Sequence, residues 1–184
     1  MSKARGKRTL ALIVLAVMAP AVFAYVTYYL FPRATFTNYG ELLPTAPLPR
    51  VEGTLADGTP FRLAERTGRW MLIVAAPGEC EARCARALYA TRQARTMQGR
   101  EMARVERIWL VLGGTQPAAP MLDDQPALTI VNADGSAVRS LPRGAEAIYL
   151  VDPLGNQVLA WPLDPDIKAL ANDLNRVLKA SRIG

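Results

Sequence analysis

The chain has 184 residues, about half of them apolar, with 22 Lys and Arg against 16 Asp and Glu and no histidine. This allows one ordinary domain with a real core plus an appendage, and it excludes intrinsic disorder. Lys3, Arg5, Lys7 and Arg8 crowd the first nine residues; the other 18 basic residues nearly balance the 16 acidic ones, an ordinary solvated surface that argues against nucleic acid as a partner.

Residues 1–9 read as a basic cytoplasmic N-terminus, and residues 10–31, "LALIVLAVMAPAVFAYVTYYLF", form an uncharged run of 22 residues. A helix needs roughly 20 residues to cross a bilayer, and membrane helices tolerate a proline such as Pro20. Tyr25, Tyr28 and Tyr29 sit near the far end, where aromatic rings favour the interface. The basic cluster ahead of the run predicts a single pass with a cytoplasmic N-terminus, which in a bacterium places the rest of the chain in the periplasm. A cleaved leader is the competing reading, with small residues around "VFA" at 22–24, but the apolar run continues for seven residues beyond them. Both readings export the domain to a compartment that permits disulfides.

Residues 32–50 carry four prolines and little periodicity, and are expected to be an extended tether, or an irregular arm packed on the domain. The folded domain is expected over 51–184. "GTLADGTPFRL" places a DG turn between two short extended runs, a small hairpin. "RWMLIVAA", residues 69–76, has the unbroken apolar character of a central strand, ended by Pro77 and Gly78. A helix is predicted from Cys80 to Met97, with Cys84, Ala87, Leu88, Ala94 and Met97 near one face. A second buried strand is predicted over 105–113, then a loop, and "LTIVN" reads as a short strand or the end of a connection. A hairpin follows, strands 147–152 and 157–161 around Pro153 and Gly155. The last helix is predicted to start at Asp164 as N-cap with Pro165 at its first position, and Ile167, Leu170, Ala171, Leu174, Val177 and Leu178 make its apolar stripe. Strand, helix, strand, hairpin and closing helix predict an α/β domain with a central mixed sheet flanked by helices, the plan of the thioredoxin fold.

The chemistry-bearing residues are the two cysteines in "PGECEARCARAL", Cys80 and Cys84. On a regular helix, residues i and i+4 have Cβ atoms about 5–6 Å apart, whereas a disulfide needs about 3.8 Å. With Cys80 in the turn after Gly78, the gap can close. A helix N-terminus favours thiolate; Arg83 and Arg86 assist, while Glu79 and Glu81 oppose. Cys80 is then the more exposed nucleophile and Cys84 the resolving thiol of a thiol–disulfide oxidoreductase. The same pair suits Cu(I), which accepts two or three soft donors. With no histidine, a third donor would have to come from Met71, Met97, Met102 or Met121, each of which also reads as core filling. Zinc would want four ligands. The structural alternative is a plain disulfide brace, although a ring of five residues constrains the unfolded chain little.

The run "LADGTPFRLAERTGRWMLIVAAPGECEARCARAL" resembles the Sco/SenC family, with Asp57-Gly58, Phe61, Leu63, Gly68, Trp70 and the CxxxC pair as matching features. "IYLVDPLGN" at 148–156 resembles that family's late hairpin, and the likeness covers roughly 51–180. The resemblance implies a membrane-anchored thioredoxin-fold protein of cytochrome c oxidase biogenesis, with copper handled at Cys80 and Cys84. Two features depart from the pattern. Glu81 and Ala85 follow the cysteines where the family usually has proline, and Gly144 stands where its copper histidine is expected. The resemblance thus implies thiol–disulfide exchange with an oxidase subunit or another copper carrier, or an incomplete Cu(I) site. The alternative of another class is a non-catalytic accessory or adaptor subunit of a respiratory complex, docked through the "TNYGELLP" segment and braced by a structural disulfide.

Overall fold

The computed structural model describes residues 2–30, 38–133, 135–139, 141–181 and 183, and the chain divides into two compact units, 1–37 and 38–184. Among the described residues the first unit holds one helix, α1 (Ser2–Leu30), which starts well before the expected Leu10. Its Gly6–Leu30 portion is long and apolar enough to cross a membrane, and Pro20 lies inside it. Tyr25, Tyr28 and Tyr29 gather near its C-terminal end, ring centroids 4.6 and 5.0 Å apart.

The second unit contains β1 (Glu41–Pro47), β2 (Glu52–Leu55), β3 (Pro60–Arg62), β4 (Trp70–Pro77), α2 (Ala82–Thr96), β5 (Val105–Leu112), α3 (Ala119–Asp123), β6 (Leu128–Ala133), α4 (Gly135–Arg139), β7 (Ala147–Val151), β8 (Asn156–Pro162) and α5 (Ile167–Ala180). The strands form one sheet in the order β1-β8-β7-β4-β5-β6-β2-β3. The centre, β4–β5–β6, is parallel, and the flanking pairs are antiparallel. The mixed sheet with helices on its faces is the expected thioredoxin-like α/β architecture.

The continuous apolar run of β4 follows from its position, because both of its faces are covered. Trp70, Leu72, Val74 and Ala76 point into a core shared with Cys84, Ala87 and Leu88 of α2 and Leu170, Leu174 and Leu178 of α5. Met71, Ile73 and Ala75 point into the opposite core with Leu43, Val51, Phe61, Leu63, Val138 and Tyr149. Each fully buried large apolar side chain is worth about 1.5–3 kcal/mol.

Several boundaries differ from the sequence reading. Residues 41–47 of the expected tether are an edge strand paired with β8, and the domain begins at 38 rather than Val51. Residues 32–37 of that tether lie outside the described residues. Asp173 explains the earlier start: this buried carboxylate of α5 accepts hydrogen bonds from Gly40 N (2.8 Å), Tyr39 N (3.2 Å) and Trp161 Nε1 (3.2 Å). The closing helix is capped by Asp166, whose side chain accepts from Ala169 N at 2.7 Å. Asp164 instead receives Arg86 Nη1 at 2.7 Å. α2 ends at Thr96, so Met97 is exposed rather than on the apolar face. "LTIVN" is strand β6, parallel to β5, and the preceding loop carries the single turn α3.

One buried charge lies inside the α2-side core. Arg107 of β5 is 1% exposed and, among the described residues, has no carboxylate partner. Its Nη2 donates to Leu88 O and Gln125 Oε1, both at 2.7 Å, tying the middle of α2 to the approach to β6. Burial first, and then the nearby Arg92 and Arg95, push its pKa down to about 10. It therefore stays charged at neutral pH, and the burial penalty fades only as pH rises past about 10 towards the ordinary guanidinium value. Arg107→Lys keeps the charge but loses the fork that serves separated acceptors. Its thermal midpoint at pH 7 is expected to fall by an amount equivalent to about 2 kcal/mol. An unchanged midpoint would mean that the fork contributes nothing.

Candidate redox site at the strand-to-helix turn

β4 ends at Pro77, and the turn 78–81 delivers the chain to α2 at Ala82. This turn lies at the C-terminal edge of the parallel strands, where open α/β sheets present their ligand-facing loops. Gly78 is obligatory: a Cβ built there would stand 1.7 Å from the Thr115 carbonyl oxygen, which belongs to the loop after β5. The turn is thereby pressed against a neighbouring backbone, and the position of Cys80 is fixed.

Cys80 lies in the turn, half-buried, and Cys84 lies in the first turn of α2, 3% exposed. The two are joined as a disulfide with Cα atoms 5.2 Å apart, inside the ordinary range. Starting the helix after Cys80 is what allows this closeness, since only Cys84 obeys helical spacing. The solvent-facing member of the pair is therefore Cys80. Glu81 occupies the N-cap of α2 in extended conformation without a side-chain capping bond.

Two depressions flank the disulfide. One is lined by Pro77, Glu79, Glu81, Arg83, Cys84, Glu146 and Leu163. The other is lined by Gly78, Glu79, Cys80, Glu81, Gln116, Ala118 and Met121. Of the four methionines considered as soft donors, only Met121 lines a depression beside the pair. Met71 is buried in the core on the other sheet face, and Met97 and Met102 are exposed outside both depressions. Among the described residues no group of three or more His, Cys, Asp or Glu side chains is arranged to hold a metal.

Gly144 lines neither depression. Its φ is +64° and its carbonyl accepts from the Tyr149 hydroxyl at 2.8 Å, while that hydroxyl accepts from Arg143 N at 3.1 Å. Burial raises the Tyr149 pKa, which keeps the hydroxyl protonated as the pin of this loop. The residue that the loop brings to the cysteines is Glu146, which sequence reasoning missed. Its φ is +63°, uncommon for a residue with a side chain, and its N–H is anchored to Ala75 O at 2.8 Å. Its carboxylate receives Arg83 Nη1 at 3.5 Å across the Cys84-side depression. Left-handed backbone at a glutamate carries no signal in a single sequence.

The arrangement defines a class: a thioredoxin-like domain with an oxidised cysteine pair at the turn between its central strand and first domain helix. The family model for the transmembrane-like, thioredoxin-like, C-terminal domain matches residues 70–181, and the chain belongs to that family. No curated protein matches the sequence. Among solved structures, copper-bound yeast Sco1 is similar with a TM-score of 0.64 at 16% identity, covering 76% of this chain and 96% of that one. Copper-bound ScoI of Bradyrhizobium japonicum has a TM-score of 0.56 at 19% identity, covering 71% and 99%. BsSco, described as a member of the Sco family of cytochrome c oxidase assembly proteins with a disulfide switch, has a TM-score of 0.58 at 14% identity, covering 74% and 93%. At these identities the likeness establishes the shared thioredoxin-like fold. One apolar N-terminal helix together with the transmembrane-like family fits a single-pass membrane anchor.

Proposed function

We propose that the chain is a membrane-anchored, Sco-like protein of respiratory oxidase biogenesis that acts by thiol–disulfide exchange at Cys80 and Cys84. The observation that carries this reading is the position of the disulfide: it joins a half-buried Cys80 in the turn to a buried Cys84 on the helix. In the reduced form the Cys80 thiolate attacks a partner disulfide and releases one partner thiolate. Cys84 then attacks the Cys80 sulfur, re-forms the internal disulfide and releases the second partner thiolate. Two electrons pass from the protein to the partner, and the two cysteine protons go to the departing sulfurs. α2 opposes the cost of the thiolate through its N-terminal N–H groups and dipole. The basic residues in the first turns of α1, ahead of its apolar run, favour a cytoplasmic N-terminus, and an oxidised pair suits a periplasmic domain at a bacterial inner membrane.

Exchange is favoured over copper transport by the donor set. The copper named for the structural neighbours would be cargo here, held by the two thiolates once the pair is reduced. Among the described residues Met121 is the only further soft donor lining a depression beside them, and the loop that carries Gly144 brings Glu146 there rather than an imidazole. Such a set is incomplete, and no step is assigned to the metal. The adaptor reading, with the pair as a brace, is tested by the same measurement.

The full chain in detergent, equilibrated in glutathione buffers, is expected to show a reduction potential above about −300 mV. Cys80→Ser is expected to abolish exchange and to leave oxidase activity uncorrected in cells lacking the protein. A potential below that value together with full complementation by Cys80→Ser would leave the structural brace as the better account.

A further inference from the structure

We propose that the partner sulfur exchanging with this pair sits beside positive charge, on a basic protein surface. The inference rests on the exchange reading and assigns its substrate class. The chain as a whole carries +6, yet its reactive turn has the opposite sign. Glu79 and Glu81 bracket Cys80 in sequence and line both depressions, and Glu146 adds a third carboxylate on the Cys84 side. Among the described residues Arg83 is the one basic side chain lining either depression, against three carboxylates, a net of two negative charges around the disulfide.

The cations near this turn are already engaged. Arg83 faces Glu146 at 3.5 Å, and Arg86 donates to both Asp164 oxygens at 2.7 and 2.9 Å. Glu79 and Glu81, in contrast, have no ion-pair partner among the described residues. The Glu146 backbone adopts a left-handed conformation that costs free energy and is pinned to β4 by the bond from its N–H to Ala75 O. Carboxylates lining the depressions beside the disulfide repel an incoming anionic disulfide and attract a cationic one. They also raise the cost of the protein thiolate until a partner cation offsets it.

The test follows oxidation of the reduced full chain in neutral detergent by two small disulfides, dicationic cystamine and dianionic dithiodiglycolate. Each rate is divided by that of a neutral dithiol under the same conditions, which removes intrinsic differences between the reagents. The normalised rate with cystamine is expected to exceed that with dithiodiglycolate by about ten-fold to a hundred-fold at low salt, and the gap should shrink at high salt. Glu79→Gln with Glu81→Gln should close most of the gap, whereas Glu52→Gln, in the β2–β3 hairpin, should leave it. Equal rates, a preference for the anion, or a gap untouched by the double change would overturn the proposal while leaving exchange intact. If neither reagent oxidises the pair, the exchange reading itself fails.

Discussion

Gly78→Ala is expected to lower stability by about 2–3 kcal/mol, the scale of an overpacked site that must move backbone, and to slow the chemistry of Cys80. The added Cβ would meet the Thr115 carbonyl oxygen at 1.7 Å and its carbon at 2.7 Å. Both are main-chain atoms, so no side-chain rotation relieves the contact. Either the loop after β5 or the turn 78–81 must yield, and Cys80 rides on that turn. Urea unfolding of the full chain, paired with the alkylation rate of the reduced pair, separates the two effects. A wild-type midpoint with a wild-type alkylation rate would show that this packing is dispensable. A lowered midpoint alone would show that the turn re-forms after the neighbour moves.

Asp173→Ala is expected to be the most damaging single change outside the turn, costing about 3 kcal/mol and roughly 6–12 °C in thermal midpoint. The carboxylate is 1% exposed and accepts from Tyr39 N, Gly40 N and Trp161 Nε1, with Arg176 Nη1 at 3.5 Å. Its removal leaves the Gly40 amide and the buried indole N–H without their acceptor, the costly way to lose a hydrogen bond. It also releases the segment that leads into β1. Amide exchange at Tyr39 and Gly40 should rise to that of an open segment, while β4 and β5 keep their protection. If these amides stay protected, another group holds the start of the domain. Gly40 cannot easily be rebuilt to compensate, since a Cβ there would lie 2.3 Å from Trp161 Nε1.

These residues show what a single sequence carries and what it leaves out. The unbroken apolar run of β4 and the apolar stretch 108–112 of β5, which follows Glu106 and Arg107, identify the central parallel pair, because a strand buried on both faces has little polar register. The cysteine turn was legible for a related reason: Pro77 and Gly78 end the strand, and the helix face containing Cys84, Ala87 and Leu88 follows at once. β1 was not legible. Its prolines suggest a tether, and only pairing with β8 and the distant Asp173 turns it into structure. The start of α5 slipped by two residues because Asp164 and Asp166 are both competent caps, and the bond from Arg86 to Asp164 decides between them. Met97 was misplaced because helical periodicity does not announce its own end at Thr96. Glu146 reaches the cysteine pair through a left-handed backbone that no sequence pattern marks.

The sheet ends on two proline-bearing strands: β1 carries Pro44 and Pro47, and β3 is three residues long and begins with Pro60. Proline offers no N–H to a further ladder, and a three-residue strand offers little length for one. Neither margin of the domain is therefore a good template for another chain to extend. Recognition by strand addition is disfavoured at both ends, and self-association into ribbons with it. The loop end of the sheet, where the turn with Cys80 lies, is under no such restriction.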